Sequence, residues 1–394
     1  MKTIFLSIPF ILIFSCSFAQ YTDAPFRLFG EVATVDNQIY RGFISWGGIK
    51  NYWIDFFEAS KPQNPYSSFF SDSDEVFFNN GTQILSTPPR HIFSCRFGNI
   101  KSIRPTDEKE VLLQLKNGYE FTLIKGNSKD IRTNIQVTTP VETVSIKWDH
   151  ISEIHFMSAD SNAVAPHLNQ VAGIVKSSQG IYKGLINWNY NSQKSIEKNN
   201  NINNTLQKMK KIVRWKGTQG NHYKGIYALE HNPKAFFPNT SVLEPMENVM
   251  INMPNTGLVT VTINRFNELE MIPLSELTLL SYDDFAAPET IKGEVITRNN
   301  EKISGSLAYD LDENMNFEVL DGKNNNITYQ IPFKYIRSIE PKNYKYSFIT
   351  LKNGSQLSLG DAPDVNHENS GIIIFGNEIP VYIPWNEIKA VNIE

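Results

Sequence analysis

The strongest constraint on this chain is a short motif that recurs five times: a large apolar residue, two positions, Ile or Leu, two more positions, and another aliphatic residue. It stands at Phe97/Ile100/Ile103, Trp148/Ile151/Ile154, Leu274/Leu277/Leu280, Phe333/Ile336/Ile339 and Trp385/Ile388/Val391. Ile-Pro precedes three copies, at Ile272-Pro273, Ile331-Pro332 and Ile383-Pro384. A spacing of three does not suit a strand, whose faces alternate with period two. It suits one tight helical turn that runs into a strand. Proline fixes its own φ and holds the preceding residue extended, so Ile-Pro ends one strand and starts the turn. The large residue, Trp385 in the last copy, is expected to plug a small core.

Hairpin signals surround the motif. Residues 27–46 alternate apolar and polar positions about a turn at Asp36-Asn37-Gln38, with Gly30 and Gly42 on either side and Trp46 beyond. The pattern returns with Gly173, Gly184 and Trp188, and again with Gly293, Gly305 and Tyr309. Glycine in a strand marks a bend or a close backbone approach. Asn117-Gly118 and Asn353-Gly354 are hairpin turns of the strongest short kind. Each follows a Ser-Ile-x-Pro segment and leads to the Trp form of the motif. Residues 97–156 and 333–393 therefore read as two copies of one unit.

The expected fold class is all-β: tandem small barrels or curled antiparallel sheets, with little helix. Three modules are expected at residues 24–157, 168–282 and 290–394. The first carries an aromatic-rich insertion at 47–92, and the second a polar loop at 189–211.

The chain begins with Lys2, an apolar run from Ile4 to Phe14 and Ser17-Phe18-Ala19, the pattern of a signal peptide over residues 1–19. Export to the periplasm or beyond the cell is expected; the alternative is a lipoprotein anchored through Cys16. No later segment is apolar enough to span a membrane. Lys plus Arg number 37 against 41 Asp plus Glu, which disfavours a nucleic-acid surface. Of the two cysteines, Cys95 lies in an apolar run and reads as a buried thiol.

No serine elbow, zinc-protease helix, phosphate loop or paired-cysteine zinc spacing is present. No cofactor, metal or catalytic residue is expected. His150 and His155 straddle one motif turn and would point apart. Asp310-x-Asp312-x-Asn314-x-Asn316 begins like a calcium loop, but Met315 stands where glycine is required and Asp321 where glutamate is. It reads as a polar turn, and Asp361 to Glu368 as a solvated loop. The surface candidate is aromatic: Trp53, Phe56, Phe57, Tyr66, Phe69 and Phe70, which could stack on sugars or dock a partner, or serve as extra core.

The run Gly30-x-Val-x-Thr-x-Asp36 with Tyr40-x-Gly-x-Ile-x-Trp46, together with the Ile-Pro-aromatic repeats, resembles a group of uncharacterised secreted bacterial β-repeat proteins. That resemblance implies no activity and no site residues. The short units also look like Sm-like or SH3-like barrels, an analogy of fold alone. The expected role is non-catalytic binding or scaffolding in the envelope or outside the cell, with an envelope protein or a glycan as partner. The alternative is a glycan-active hydrolase or lyase whose carboxylates, among Asp55, Glu58, Asp72 and Asp74, gather only in three dimensions.

Overall fold

A computed structural model describes residues 23–62, 92–166, 171–188, 209–213, 226–228, 249–256, 259–264, 266, 268–376 and 379–394. The leader at 1–19 with Cys16, Tyr66, Phe69, Phe70, Asp72 and Asp74 lie outside them, as does the polar loop up to residue 208. Among the described residues no helix is long and apolar enough to cross a membrane.

Ten strands span the first part of the chain: β1 Phe29–Thr34, β2 Ile39–Trp46, β3 Phe56–Ser60, β4 Ile92–Arg96, β5 Ile100–Asp107, β6 Glu110–Leu115, β7 Glu120–Ile124, β8 Ile135–Thr138, β9 Thr143–Ile146 and β10 Ile151–Phe156. They form one antiparallel sheet in the order β4-β3-β7-β6-β5-β10-β1-β2-β8-β9. Exchanging β1–β5 with β6–β10 reverses that order and otherwise leaves it unchanged. The sheet thus has a two-fold repeat about the β5–β10 pair, where Ile103 faces Ile154. Each half borrows a hairpin from the other, because β3 and β4 leave β2 and reach β7 through the Ser60–Ile124 pair.

The rest of the chain builds a larger sheet. Its first strands are β11 Val171–Ser177, β12 Gly180–Trp188, β13 Met209–Val213, β14 Ile226–Ala228, β15 Val249–Met253, β16 Val259–Ile263 and β17 Glu268–Ile272. Its last are β18 Lys292–Thr297, β19 Lys302–Tyr309, β20 Val319–Asn324, β21 Ile327–Pro332, β22 Ile336–Pro341, β23 Tyr346–Leu351, β24 Gln356–Gly360, β25 Ile372–Phe375, β26 Val381–Ile383 and β27 Ile388–Ile393. The pairings of β18 to β27 repeat those of β1 to β10 strand for strand. The earlier strands join through β16, which pairs with β21.

These large open sheets correct the expectation of tandem small barrels, Sm-like or SH3-like, and of curled sheets. Among the described residues β4 pairs only with β3 and β9 only with β8, so the first sheet does not close on itself. The glycines have another use. Gly30 faces Gly42, Gly173 faces Gly184 and Gly293 faces Gly305, directly across their hairpins. A Cβ at Gly30 would meet the His155 carbonyl on β10, and one at Gly42 the Thr138 carbonyl on β8. The missing side chains let a third and a fourth strand come close.

All five motif copies form one 3-10 turn, in which the backbone N–H of the middle residue donates to the carbonyl of the first. Four run straight into β5, β10, β22 and β27. The Leu274 copy instead follows β17 and leads into no strand. The same spacing occurs at Phe266, Leu269 and Ile272, within which β17 lies, and Phe266 and Leu269 are buried.

Two turn aromatics meet at each core centre. Trp46 is fully buried and packs on Phe97 at 5.2 Å and Trp148 at 6.1 Å between ring centroids. Tyr309 holds the same place later in the chain, 5.1 Å from Phe333 and 5.9 Å from Trp385. The first core runs on into later residues, where Phe317 packs against Phe93 and Phe285 lies over Gly98.

Candidate functional site

The aromatic candidates lie inside. Trp53, Phe56 and Phe57 are 0%, 3% and 0% exposed. Strand β3 is covered on both faces, so its apolar residues do not alternate with solvent. Phe57 meets Trp46 edge-on at 5.6 Å, and the Trp53 indole N–H donates to the Pro25 carbonyl at 3.2 Å. These three residues are extra core, not an exposed platform.

Charged groups are buried beside them. Asp55 Oδ2 accepts the backbone N–H groups of Asn51 at 2.8 Å and Tyr52 at 2.9 Å. Its Oδ1 accepts Asn252 Nδ2 at 3.2 Å from β15. Asn252 Oδ1 in turn accepts the Thr260 hydroxyl at 2.6 Å, and Arg96 Nη2 donates to that hydroxyl oxygen at 3.0 Å. The Arg96 guanidinium also lies 4.1 Å from the Phe56 ring centroid. Burial raises the Asp55 pKa, against the pull of its backbone donors, and pushes Arg96 down to about 10. The network ties the first sheet to β15 and β16.

Glu318 repeats the Asp55 turn. Its Oε2 accepts the N–H groups of Asn314 at 2.8 Å and Met315 at 2.9 Å. Its Oε1 meets Lys61 Nζ at 2.6 Å, and the same ammonium lies 2.9 Å from Asp312 Oδ1. Burial pulls the Lys61 pKa down, but Glu318, Asp312 and Glu313 outweigh it and the net shift is upward. Lys61 thereby ties the end of β3 to the later sheet.

A second pair of equivalent sites surrounds the core rings. In the first, Lys50 Nζ lies 2.5 Å from Asp130 Oδ2 and 3.8 Å from Glu58 Oε2. Asp130 Oδ2 accepts the Glu58 N–H at 2.7 Å, and the Asp130 carbonyl accepts the Trp46 indole N–H at 3.1 Å. In the second, Asp364 Oδ2 accepts the Asp321 N–H at 2.6 Å, and the Asp364 carbonyl accepts the Tyr309 hydroxyl at 2.6 Å. The backbone bond from Trp46 N–H to Lys50 carbonyl, 2.8 Å, recurs from Tyr309 to Glu313 at 2.8 Å. Glu313 therefore takes the place of Lys50. Asp310 and Leu311 adopt left-handed φ of 49° and 56° where Gly47 and Gly48 have 59° and 74°. Asp310 Oδ1 accepts the Ser370 N–H.

These contacts correct two sequence readings. Asp310 and Asp312 are 8% and 3% exposed and do not form a solvated polar turn. Asp364, inside the segment expected to be a solvated loop, is 8% exposed. Acidic residues normally read as surface, which hid the site. Aligning Trp46-x-x-x-Lys50 with Tyr309-x-x-x-Glu313 is the signal that finds it.

The remaining candidates do not gather into a site among the described residues. Cys95 is buried and its pKa is raised by that burial, which removes thiolate character. His155 Nε2 pairs with Glu153 at 3.0 Å on the exposed side of β10. Among the described residues no group of three or more His, Cys, Asp or Glu side chains is placed to hold a metal ion. A cavity of about 250 Å³ opens by β2 and β8, lined by Arg27, Phe43, Ser45, Asn51, Gln136 and Thr138 among others, with no carboxylate on its walls. Asp55 and Glu58 do not face each other across a cleft, since Asp55 is held by its own turn. Comparisons with protein-family models, curated proteins and solved structures find no match, so the resemblance to secreted β-repeat proteins gains no support.

Proposed function

We propose that the chain is an exported, non-catalytic protein that binds or scaffolds in the cell envelope or outside the cell. One observation carries the reading. The ionisable groups that could do chemistry, Asp55, Lys50, Lys61, Asp130 and Glu318, are engaged with one another or with backbone inside the fold. The outer ends of the sheets, by contrast, present strands that pair on one side only among the described residues, β9 and β26. Exposed apolar residues flank or lie on these edges: Val141 at 92%, Ile379 at 86% and Val381 at 40%. An unpaired edge is a template for a partner strand.

The test is saturable binding without turnover. The full chain is immobilised, challenged with a native envelope fraction and run beside a glycan array. Val141→Lys and Val381→Lys, which charge the two edges, are expected to weaken capture while leaving the circular-dichroism spectrum unchanged. Hydrolysis of a glycan that disappears in Glu58→Gln would replace this reading with the glycan-active one.

A further inference from the structure

Strands β9, β16 and β26 hold one place in three copies of the fold. Trp46, Ile135 and Ile146 are register partners across β2, β8 and β9. Trp188, Val249 and Ile263 repeat them across β12, β15 and β16, and Tyr309, Ile372 and Ile383 across β19, β25 and β26. Thr143-Val144-Ser145-Ile146 in β9 therefore matches Thr260-Val261-Thr262-Ile263 in β16, position by position. The middle copy has its outer side filled. There Thr260, Val261, Thr262 and Ile263 face Gln330, Tyr329, Thr328 and Ile327 of β21. The Asn264 N–H donates to the Asn326 carbonyl at 3.1 Å just beyond them. Antiparallel strands exchange hydrogen bonds at alternate residues, so Thr260 and Thr262 are the ones that bond β21.

Among the described residues β9 pairs only with β8. The Thr139 N–H donates to the Glu142 carbonyl at 2.8 Å, and the register from there to Ile146 is unbroken. By the same alternation Val144 and Ile146 bond β8, whereas Thr143 and Ser145 turn their N–H and C=O groups to the open side. Both of these residues are exposed. Val144 and Ile146 face the core, and Val144 is only partly covered. In β26 the place of Thr143 falls to Pro380, which has no N–H to give. Strand β9 thus offers the full pairing that β16 uses, and β26 a shortened one.

We infer, resting on the binding role proposed above, that β9 takes an extended strand of a partner protein, antiparallel and in the register of β21 on β16. The partner's side chains opposite Val144 and Ile146 are large and apolar, as Tyr329 and Ile327 are opposite Val261 and Ile263. Those opposite Thr143 and Ser145 are polar and uncharged, as Gln330 and Thr328 are opposite Thr260 and Thr262. Main-chain hydrogen bonds supply the affinity, and the alternating side chains supply the selectivity.

The probe is a labelled peptide of residues 325–332, the sequence of β21 with its turn, titrated with the full chain and read by fluorescence anisotropy. Saturable binding with a dissociation constant below about 1 mM is expected. Thr143→Pro copies the last repeat, so it should fold. It should weaken the peptide by about tenfold or more, as one main-chain hydrogen bond is lost and its partner left unpaired. If it fails to fold, Ser145→Pro removes the other outward donor and should show the same loss, since an edge strand accepts proline where its N–H faces out. Thr143→Ser keeps the donor and should bind as wild type does. No saturable binding by wild type, or equal affinity in the proline variant that folds, overturns the inference. A dimer of the chain that the proline variant abolishes, with no peptide bound, also overturns it, because β9 then takes a second copy. Envelope capture that survives Thr143→Pro sinks the β9 site alone. Glycan turnover lost in Glu58→Gln sinks the binding role and leaves the peptide result standing.

Discussion

Glu313 holds, in the last ten-stranded repeat, the backbone place that Lys50 holds in the first. Both share a 2.8 Å hydrogen bond with the core aromatic four residues earlier, Tyr309 or Trp46. Both lie beside an aspartate, Asp364 or Asp130, that accepts the N–H of another acid. One fold thus places a basic and an acidic side chain at one position. The first site sets its carboxylates against Lys50, while burial and neighbouring carboxylates raise the pKa of Glu313 and Asp364 in the second.

That acidity should appear as a pH dependence. Burial first, and then neighbouring carboxylates, raise the pKa of Glu313 and Asp364. Burial raises Asp321 to about 7 from an ordinary 3.8, with Glu58 adding to it and Gln330 and Lys323 opposing. A carboxyl whose folded pKa is raised stabilises the fold below its unfolded pKa, and this contribution is lost as pH rises through the folded value. The melting temperature should therefore fall between about pH 4 and pH 8. Melts across that range check it, and Asp321→Asn should flatten the slope. A rise with pH would contradict the assignment.

Trp385 closes the last core as the first turn residue of its motif copy and is 7% exposed. Replacement by Ala should destabilise the fold by about 3–5 kcal/mol in urea unfolding. A loss below about 1 kcal/mol would mean that the turn aromatics do not support the core.

Two kinds of glycine should respond differently. Gly118 has φ of 86° with open space around it, so Gly118→Ala should cost about 1–2 kcal/mol from backbone conformation alone. Gly42→Ala would drive a Cβ against the Thr138 carbonyl and separate β2 from β8, so its loss should be the larger. Equal losses would show that the glycine pairs are not close-approach points.

Local features were legible in the sequence and long-range ones were not. The five turns could be read because proline and a spacing of three act within a few residues. The Asn-Gly hairpins could be read for the same reason. The exchange of β3 and β4 could not, since one pair of residues, Ser60 and Ile124, carries it between β3 and β7. Whether Trp53, Phe56 and Phe57 formed a surface or extra core could not be read locally, since it depends on distant strands that bury Trp53 and cover both faces of β3. The buried acids were invisible one at a time and emerge only when the two repeats are compared. The Leu274 copy forms its turn after β17 and leads into no strand, so there the turn and the closing strand are separate.

The central claim is that buried charge ties the repeats together, and the Lys61–Glu318 pair at 2.6 Å tests it most directly. A double-mutant cycle of Lys61→Met and Glu318→Gln, read by urea unfolding, isolates the pair. Each single change should destabilise the protein by about 3–5 kcal/mol, since each strands a buried partner. The double change should lose clearly less than the sum, with a coupling energy of at least about 1.5 kcal/mol. Additive losses within about 0.5 kcal/mol would contradict the account.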